Sequence, residues 1–219
     1  MNSTTPSPPP DARRHHFAVL PTSVPLDVRC PRCEGRATFE EPFEFISGKA
    51  AREMDPDDPR PVHRWGGWMV REKFPSVARW KAPRGSGASL WWGGCPRETG
   101  GYRLLHRGVV RCSACHFVGL HVLRWPADAF FAWSIRGTRL WAWSAEHARV
   151  LLHYVGALQR DPGRFPGYRK SLEKLPAAIL AARSRATVTR KIRESLERAG
   201  ESTDPPAPNA SPARIRPGG

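Results

Sequence analysis

Two Cys-x-x-Cys pairs constrain this 219-residue chain more than any other feature. The first is Cys30/Cys33 in Val28-Arg-Cys-Pro-Arg-Cys-Glu-Gly35, and the second is Cys112/Cys115 in Val110-Arg-Cys-Ser-Ala-Cys-His116. A Cys-x-x-Cys turn aims two thiolates at one point, and two such turns close a tetrahedral set of four sulfurs. That set suits Zn²⁺ and leaves no open coordination position. The expectation is therefore one structural zinc ion held by Cys30, Cys33, Cys112 and Cys115, with no chemistry at the metal.

Three other uses of these cysteines compete. Disulfides need an oxidising compartment, yet the residues before Asp27 are polar and Pro-rich, and their apolar run, Phe17-Ala-Val-Leu20, is shorter than a signal-peptide core. A thioredoxin-like pair sits between a buried strand and a helix, whereas Glu34-Gly35 after Cys33 suits a turn. Cys112-Ser-Ala-Cys115-His116 also spells a haem-attachment string, but haem attachment follows export and would leave Cys30 and Cys33 without a role.

The two halves match beyond their cysteines. Each has an apolar residue two positions before its first cysteine, Val28 and Val110, and each then returns to strand-like sequence, Arg36-Ala-Thr-Phe-Glu40 and Phe117-Val-Gly-Leu-His-Val-Leu123. In these features the chain resembles the zinc-ribbon class over residues 26–45 and 106–125, with a long insertion between the knuckles. The wider plan of split ribbon, aromatic hairpin and basic helices resembles bacterial zinc-ribbon proteins and implies no particular function.

The fold class expected is α+β: a split zinc ribbon with a Trp/Gly-rich β insertion, then a β-hairpin and several C-terminal helices, between disordered termini. Residues 1–22 read as a disordered leader, 23–125 as the ribbon with an insertion at about 46–107, 126–199 as the hairpin plus helices, and 200–219 as a Pro-rich disordered tail. Phe39, Phe43 and Phe45 share parity and could line one face of an extended segment. Arg136-Gly137 reads as the turn of a hairpin between Phe131–Ile135 and Thr138–Trp143, and Ser144 as the N-cap of a helix from Ala145 to about Gln159. Two short helices, Tyr168–Leu175 and Ala177–Arg183, split at Pro176, and a last helix runs from about Ser184 to Ala199 on a stripe of Val188, Ile192 and Leu196. His147 and His153 stand six residues apart and do not share a helical face, so each is expected at the surface and not as a metal pair.

Charge points to the partner. The formal net charge is +15, and it is uneven: residues 1–58 hold 7 basic and 10 acidic side chains, residues 59–219 hold 28 and 10. A field of that sign attracts polyanions. The insertion interleaves Trp65, Trp68, Trp80, Trp91 and Trp92 with arginines and lysines, the chemistry of base stacking beside phosphate contact. The same pattern describes a small β unit with the tryptophans as its core, and that reading takes precedence because nothing in the sequence exposes a particular tryptophan.

The functional expectation is a zinc-stabilised, non-catalytic protein that binds DNA or RNA through Arg71, Lys73, Arg79 and Lys81 of the insertion and Arg185, Arg190, Lys191 and Arg193 of the last helix. The alternative is a zinc-ribbon scaffold that docks on a protein partner without nucleic acid. An enzyme ranks third. Cys95 beside Arg97 gives a cysteine pattern loosely similar to zinc-bearing methionine sulfoxide reductases, but their Arg-His-Cys context is missing. A hydrolase would need paired carboxylates, a phosphate loop or a Ser/His/Asp arrangement, and the sequence offers none. No apolar run approaches the roughly 18–20 residues of a membrane span, and a cytoplasmic location is expected.

Overall fold

A computed structural model of the protein describes residues 20–21, 25–47, 55, 57–65, 68–81, 102–103 and 107–206. In chain order the strands are β1 (Leu20–Pro21), β2 (Leu26–Arg29), β3 (Arg36–Glu40), β4 (Phe43–Ser47), β5 (Val62–Trp65), β6 (Trp68–Glu72), β7 (Tyr102–Arg103), β8 (Arg107–Arg111), β9 (Val118–Val122), β10 (Ala132–Ile135) and β11 (Thr138–Trp141). The helices are α1 (Ala145–Gly156), α2 (Arg169–Leu172), α3 (Ala177–Leu180) and α4 (Ala182–Arg198). The fold is mixed α+β.

Two knuckle hairpins build a four-stranded antiparallel sheet of order β2-β3-β8-β9. Strand β3 leaves the first knuckle and β8 enters the second. Their antiparallel register, Thr38 opposite Arg111 and Glu40 opposite Val109, sets both knuckles at one end of the sheet. Alternation sends Leu26, Val28, Ala37, Phe39 and Val110 to one face, and all five are buried. Gly108 is required where β8 crosses β3, because a Cβ there would lie 2.5 Å from the Glu40 carbonyl oxygen and from the Phe39 ring.

The insertion forms a separate three-stranded sheet of order β4-β6-β5. Phe43, Phe45, Trp65 and Trp80 meet edge-to-face with ring centroids 5.1–6.1 Å apart, so Trp65 and Trp80 serve as packing. Parity misassigned the phenylalanines. Phe39 belongs to the ribbon core, whereas Phe43 and Phe45 belong to the insertion, because Glu41-Pro42 separates β3 from β4 and moves the chain to another sheet. Trp91, Trp92, Cys95 and Arg97 lie outside the described residues.

Arg136 and Gly137 both take positive φ, 49° and 77°, and so form the tight turn between β10 and β11. Ser144 then caps α1, its side chain accepting from the His147 N–H. That helix stops at Gly156, earlier than the spacing suggests, because Ala157 is extended and the chain turns toward Pro162. The Pro-Gly repeats at 162–163 and 166–167 fold as two 3₁₀ turns, which shortens the expected helix over 168–175 to Arg169–Leu172. On α4 the stripe of Val188, Ile192 and Leu196 is fully buried against the rest of the core. Residues 201–206, expected to open a disordered tail, are anchored: the Glu201 N–H donates to Leu196, and His153 Nε2 lies 2.9 Å from the Thr203 carbonyl. The remainder of both termini lies outside the described residues.

Ribbon and helical unit share one core, and a buried carboxylate joins them. Asp27 accepts two bonds from Arg36, at 2.9 and 3.0 Å, and one from the Ala145 N–H in the first turn of α1, at 2.8 Å. Its own N–H donates to the Trp143 carbonyl and its carbonyl accepts from the Phe130 N–H, so the β2 edge is closed by the C-terminal unit. Asp27→Ala should lower stability by about 2 kcal/mol, since it strands the buried Ala145 N–H and leaves Arg36 with Glu201 alone. Chemical denaturation checks this; a loss under about 1 kcal/mol would mean the joint holds without the carboxylate.

Candidate metal centre

The two knuckles repeat one backbone path. The Cys30 N–H donates to the Gly35 carbonyl, and at the matching place the Cys112 N–H donates to the Phe117 carbonyl, both at 2.8 Å. Glu34 and His116, each the residue after its second cysteine, both sit in the left-handed region at φ 59° and 55°. This shared turn makes each Cys-x-x-Cys point its sulfurs the same way, and the β3–β8 pairing brings the two turns face to face.

The four sulfurs converge. Cys30 Sγ lies 3.6 Å from Cys115 Sγ and Cys33 Sγ lies 3.6 Å from Cys112 Sγ, with all four within 4.8 Å of one another. A tetrahedral ion with metal–sulfur bonds of about 2.3 Å sets its sulfurs about 3.8 Å apart. These separations are van der Waals contacts, far from a disulfide bond of about 2.05 Å. The site offers one first-row ligand set, four thiolates, with Cys30 and Cys112 buried and Cys33 exposed. The Arg32 N–H approaches Cys30 Sγ at 3.4 Å and adds a donor toward the sulfur charge.

Proton affinities at the site are split as crowded thiols require. Backbone N–H groups of Cys115 and Ala114, with the Cys33 and Cys115 thiols, bring Cys112 down to about 7 against the resistance of burial. The Gly35 N–H pulls Cys33 the same way, yet the Cys115 thiol, burial and the Cys112 and Cys30 thiols together push it up to about 12. Four negative sulfurs at this spacing repel, and a cation between them is what lets all four ionise together. The donor set therefore fits a metal ion. Sequence reasoning missed the paired left-handed residues, although their equivalent placement four positions after Cys30 and Cys112 could have shown them.

The histidines do different work from the expected surface role. His147 is buried in a mutual cluster with Trp143 and Tyr168: its ring stacks on Tyr168 at 5.1 Å and lies tilted against Trp143 at 4.3 Å, and those two rings also meet at 5.8 Å. The Trp143 N–H donates to its Nδ1 at 3.2 Å, so the proton sits on Nε2, which faces Ser171 Oγ at 3.2 Å. A general base for a serine needs the reverse arrangement, so this pair is a packing device and not a nucleophile with its base. The spacing of 147 and 153 placed them on different faces correctly; what it could not show is that α1 is covered on the His147 side.

The candidate nucleic-acid residues fall into two groups on separate elements. In the insertion, Arg71 is held by Glu44 and Asp58 at 2.6–3.0 Å, and Lys73 by Glu40 at 2.6 Å. Asp58 itself is kept well below the usual carboxylate range by Arg60, with Arg71 assisting. Arg79 is exposed beside Glu72 at 3.5 Å, and Lys81 is exposed. On α4, Arg190 pairs with Glu194 at 2.8 Å and Lys191 donates to the Ser134 carbonyl at 3.0 Å, whereas Arg185 and Arg193 have no ion pair among the described residues. Arg164, which the sequence did not single out, lies near Arg185 and Arg193. Compared with protein-family models, curated proteins and solved structures, the chain matches none.

One divalent ion per chain is expected by elemental analysis, and Cys112→Ser should lose it. Chelation should lower the melting temperature of the wild type and leave that of Cys112→Ser unchanged; a metal-free wild type indifferent to chelators would dismiss the site. A separate acid effect follows from His147, whose pKa burial lowers to about 3 from its ordinary 6.5. The unfolded chain takes up a proton below pH 6.5 that the folded chain refuses, so stability present above 6.5 is lost progressively as pH falls toward 3. In His147→Phe the melting temperature should decline less steeply between pH 7 and pH 4.5 than in wild type, and parallel declines would remove His147 as the cause.

Proposed function

We propose that this is a zinc-stabilised, non-catalytic nucleic-acid-binding protein. Zinc is the ion because a tetrahedral all-thiolate set favours Zn²⁺ or iron, and a closed site with no free position suits a redox-inert structural metal. Its binding supplies folding free energy, on the order of 10 kcal/mol at such sites near neutral pH. Cys30, Cys33, Cys112 and Cys115 hold and orient the ion, and all four positions of a tetrahedral ion are filled by them.

The observation that carries the binding reading is the set of arginines without partners on the helical unit. Arg164, Arg183, Arg185 and Arg193 have no hydrogen bond to a carboxylate among the described residues, while Arg71 and Lys73 of the insertion are held by acids. Unmatched guanidinium groups are the ones available to phosphate. A second reading, a protein-docking scaffold, has its own support. Val118, Leu120 and Val122 are 43%, 56% and 58% exposed along β9, the sheet edge that no described strand pairs.

Fluorescence anisotropy with labelled single-stranded DNA, RNA and duplex DNA, each at two salt concentrations, separates these. Several phosphate contacts predict an affinity that falls about tenfold or more between 50 and 200 mM salt. Absent or salt-indifferent binding would end the nucleic-acid reading in favour of the scaffold. Elemental analysis that finds iron would correct the metal.

A further inference from the structure

An open groove of about 1150 Å³ runs between the end of α1, the 3₁₀ turns and α4, with Pro205 and Pro206 as its far wall. Its floor on α4 is regular. Arg185, Thr189 and Arg193 recur every four residues, hence on one helical face with successive steps of about 6 Å along the axis. Arg164, at the end of the 3₁₀ turn, and Phe165 after it belong to the same lining. The acid in the lining, Asp161, is turned back onto its own turn, where its side chain accepts from the Gly163 N–H at 2.8 Å.

The groove's cations are unsatisfied. Arg164, Arg185 and Arg193 have no carboxylate partner among the described residues, and the Nε of Arg185 is buried with no acceptor. The exposed guanidinium groups of Arg164 and Arg193, and the Nη end of Arg185, are the donors a bound anionic oxygen could meet, since the Arg185 Nε itself is closed off. The opposite wall is fixed: His153 holds the Thr203 carbonyl, and Glu201 pairs with Arg36 of the ribbon.

We infer that this groove is a binding site for single-stranded nucleic acid, with Arg185 and Arg193 meeting phosphates two apart, Arg164 reaching a phosphate from the other side and Phe165 offering a ring to a base. The inference rests on the nucleic-acid reading above and adds its place and its strand form. A single extended strand can enter a recess and follow a helix face. A duplex is a convex cylinder that would touch the rims alone, and its bases are not free to stack.

The test uses the full-length, metal-loaded protein and a fluorescein-labelled 12-nucleotide poly(dT) or poly(U) strand, with a mixed-sequence duplex of equal length as comparison. Arg185→Ala with Arg193→Ala should weaken single-strand binding about 10–100-fold and reduce the log–log salt slope by about 1.4, the loss of two phosphate contacts. Arg64→Ala with Arg124→Ala removes the same charge from exposed positions elsewhere and should change little. Because Arg185 is half-buried, Arg164→Ala with Arg193→Ala, both exposed, provides a second groove variant, and melting curves verify that each variant folds. Groove variants that bind like the control pair, or duplex bound as tightly as single strand, would overturn the groove while leaving nucleic-acid binding intact. No binding by the wild type to any of the three would overturn both.

Discussion

The fold turns on the carboxylate of Asp27. A small ribbon sheet cannot bury both of its faces or close both of its edges, and the helical unit alone lacks a cover for α1 and the hairpin. Asp27 meets both needs: its side chain receives Arg36 and the first N–H of α1, while its backbone pairs with Trp143 and Phe130. The helix N-terminus is electropositive, so the same negative group neutralises an arginine and a helix dipole within one buried space. Packing then continues without a seam from Val28 and Val110, through Phe131 and Trp133, to Val155 and Ile192. The cysteine knuckles stand at the end of that continuous body and are not a separate appendage.

The electrostatic pattern follows from the same assembly. The acid-rich first segment and the basic insertion look like opposed halves in the chain, but Glu40, Glu44 and Asp58 fold onto Lys73 and Arg71 and cancel them. Glu40 on β3 also reaches Arg111 on β8 within the four-stranded sheet, so its pair with Lys73 ties the insertion to that sheet. Guanidinium groups that no described carboxylate cancels include Arg164, Arg183, Arg185 and Arg193 of the helical unit. The helical unit is in turn tied to the four-stranded sheet by the Arg36–Glu201 ion pair.

Features that depend on near neighbours were legible in the sequence. The knuckles, the Arg136-Gly137 turn, the Ser144 cap and the Val188-Ile192-Leu196 stripe are each set within a few residues, and each stands where the residues indicate. Features that depend on distant partners were not. Asp27 is an ordinary strand residue until Arg36, Trp143 and Ala145 surround it, and His147 is a surface residue until Tyr168 lies on it. The phenylalanine parity failed because one Glu-Pro step moved the chain between sheets, a change of partner that period alone does not register. Arg71 and Lys73 read as free cations because the acids that hold them lie 27 and 33 residues earlier in the chain.

The spacing of the knuckles also has a meaning in time. Cys33 and Cys112 are 79 positions apart, and the intervening chain must be made before the second pair exists. At a synthesis rate of about 5–20 residues per second, the first pair waits about 4–16 s as a two-sulfur half-site. A two-sulfur half-site would hold a dication weakly, and all four sulfurs meet only after the intervening chain has emerged and β8 has paired with β3. The complete four-thiolate set thus exists only late in synthesis, and until then the nascent first knuckle is a bare dithiol open to oxidation.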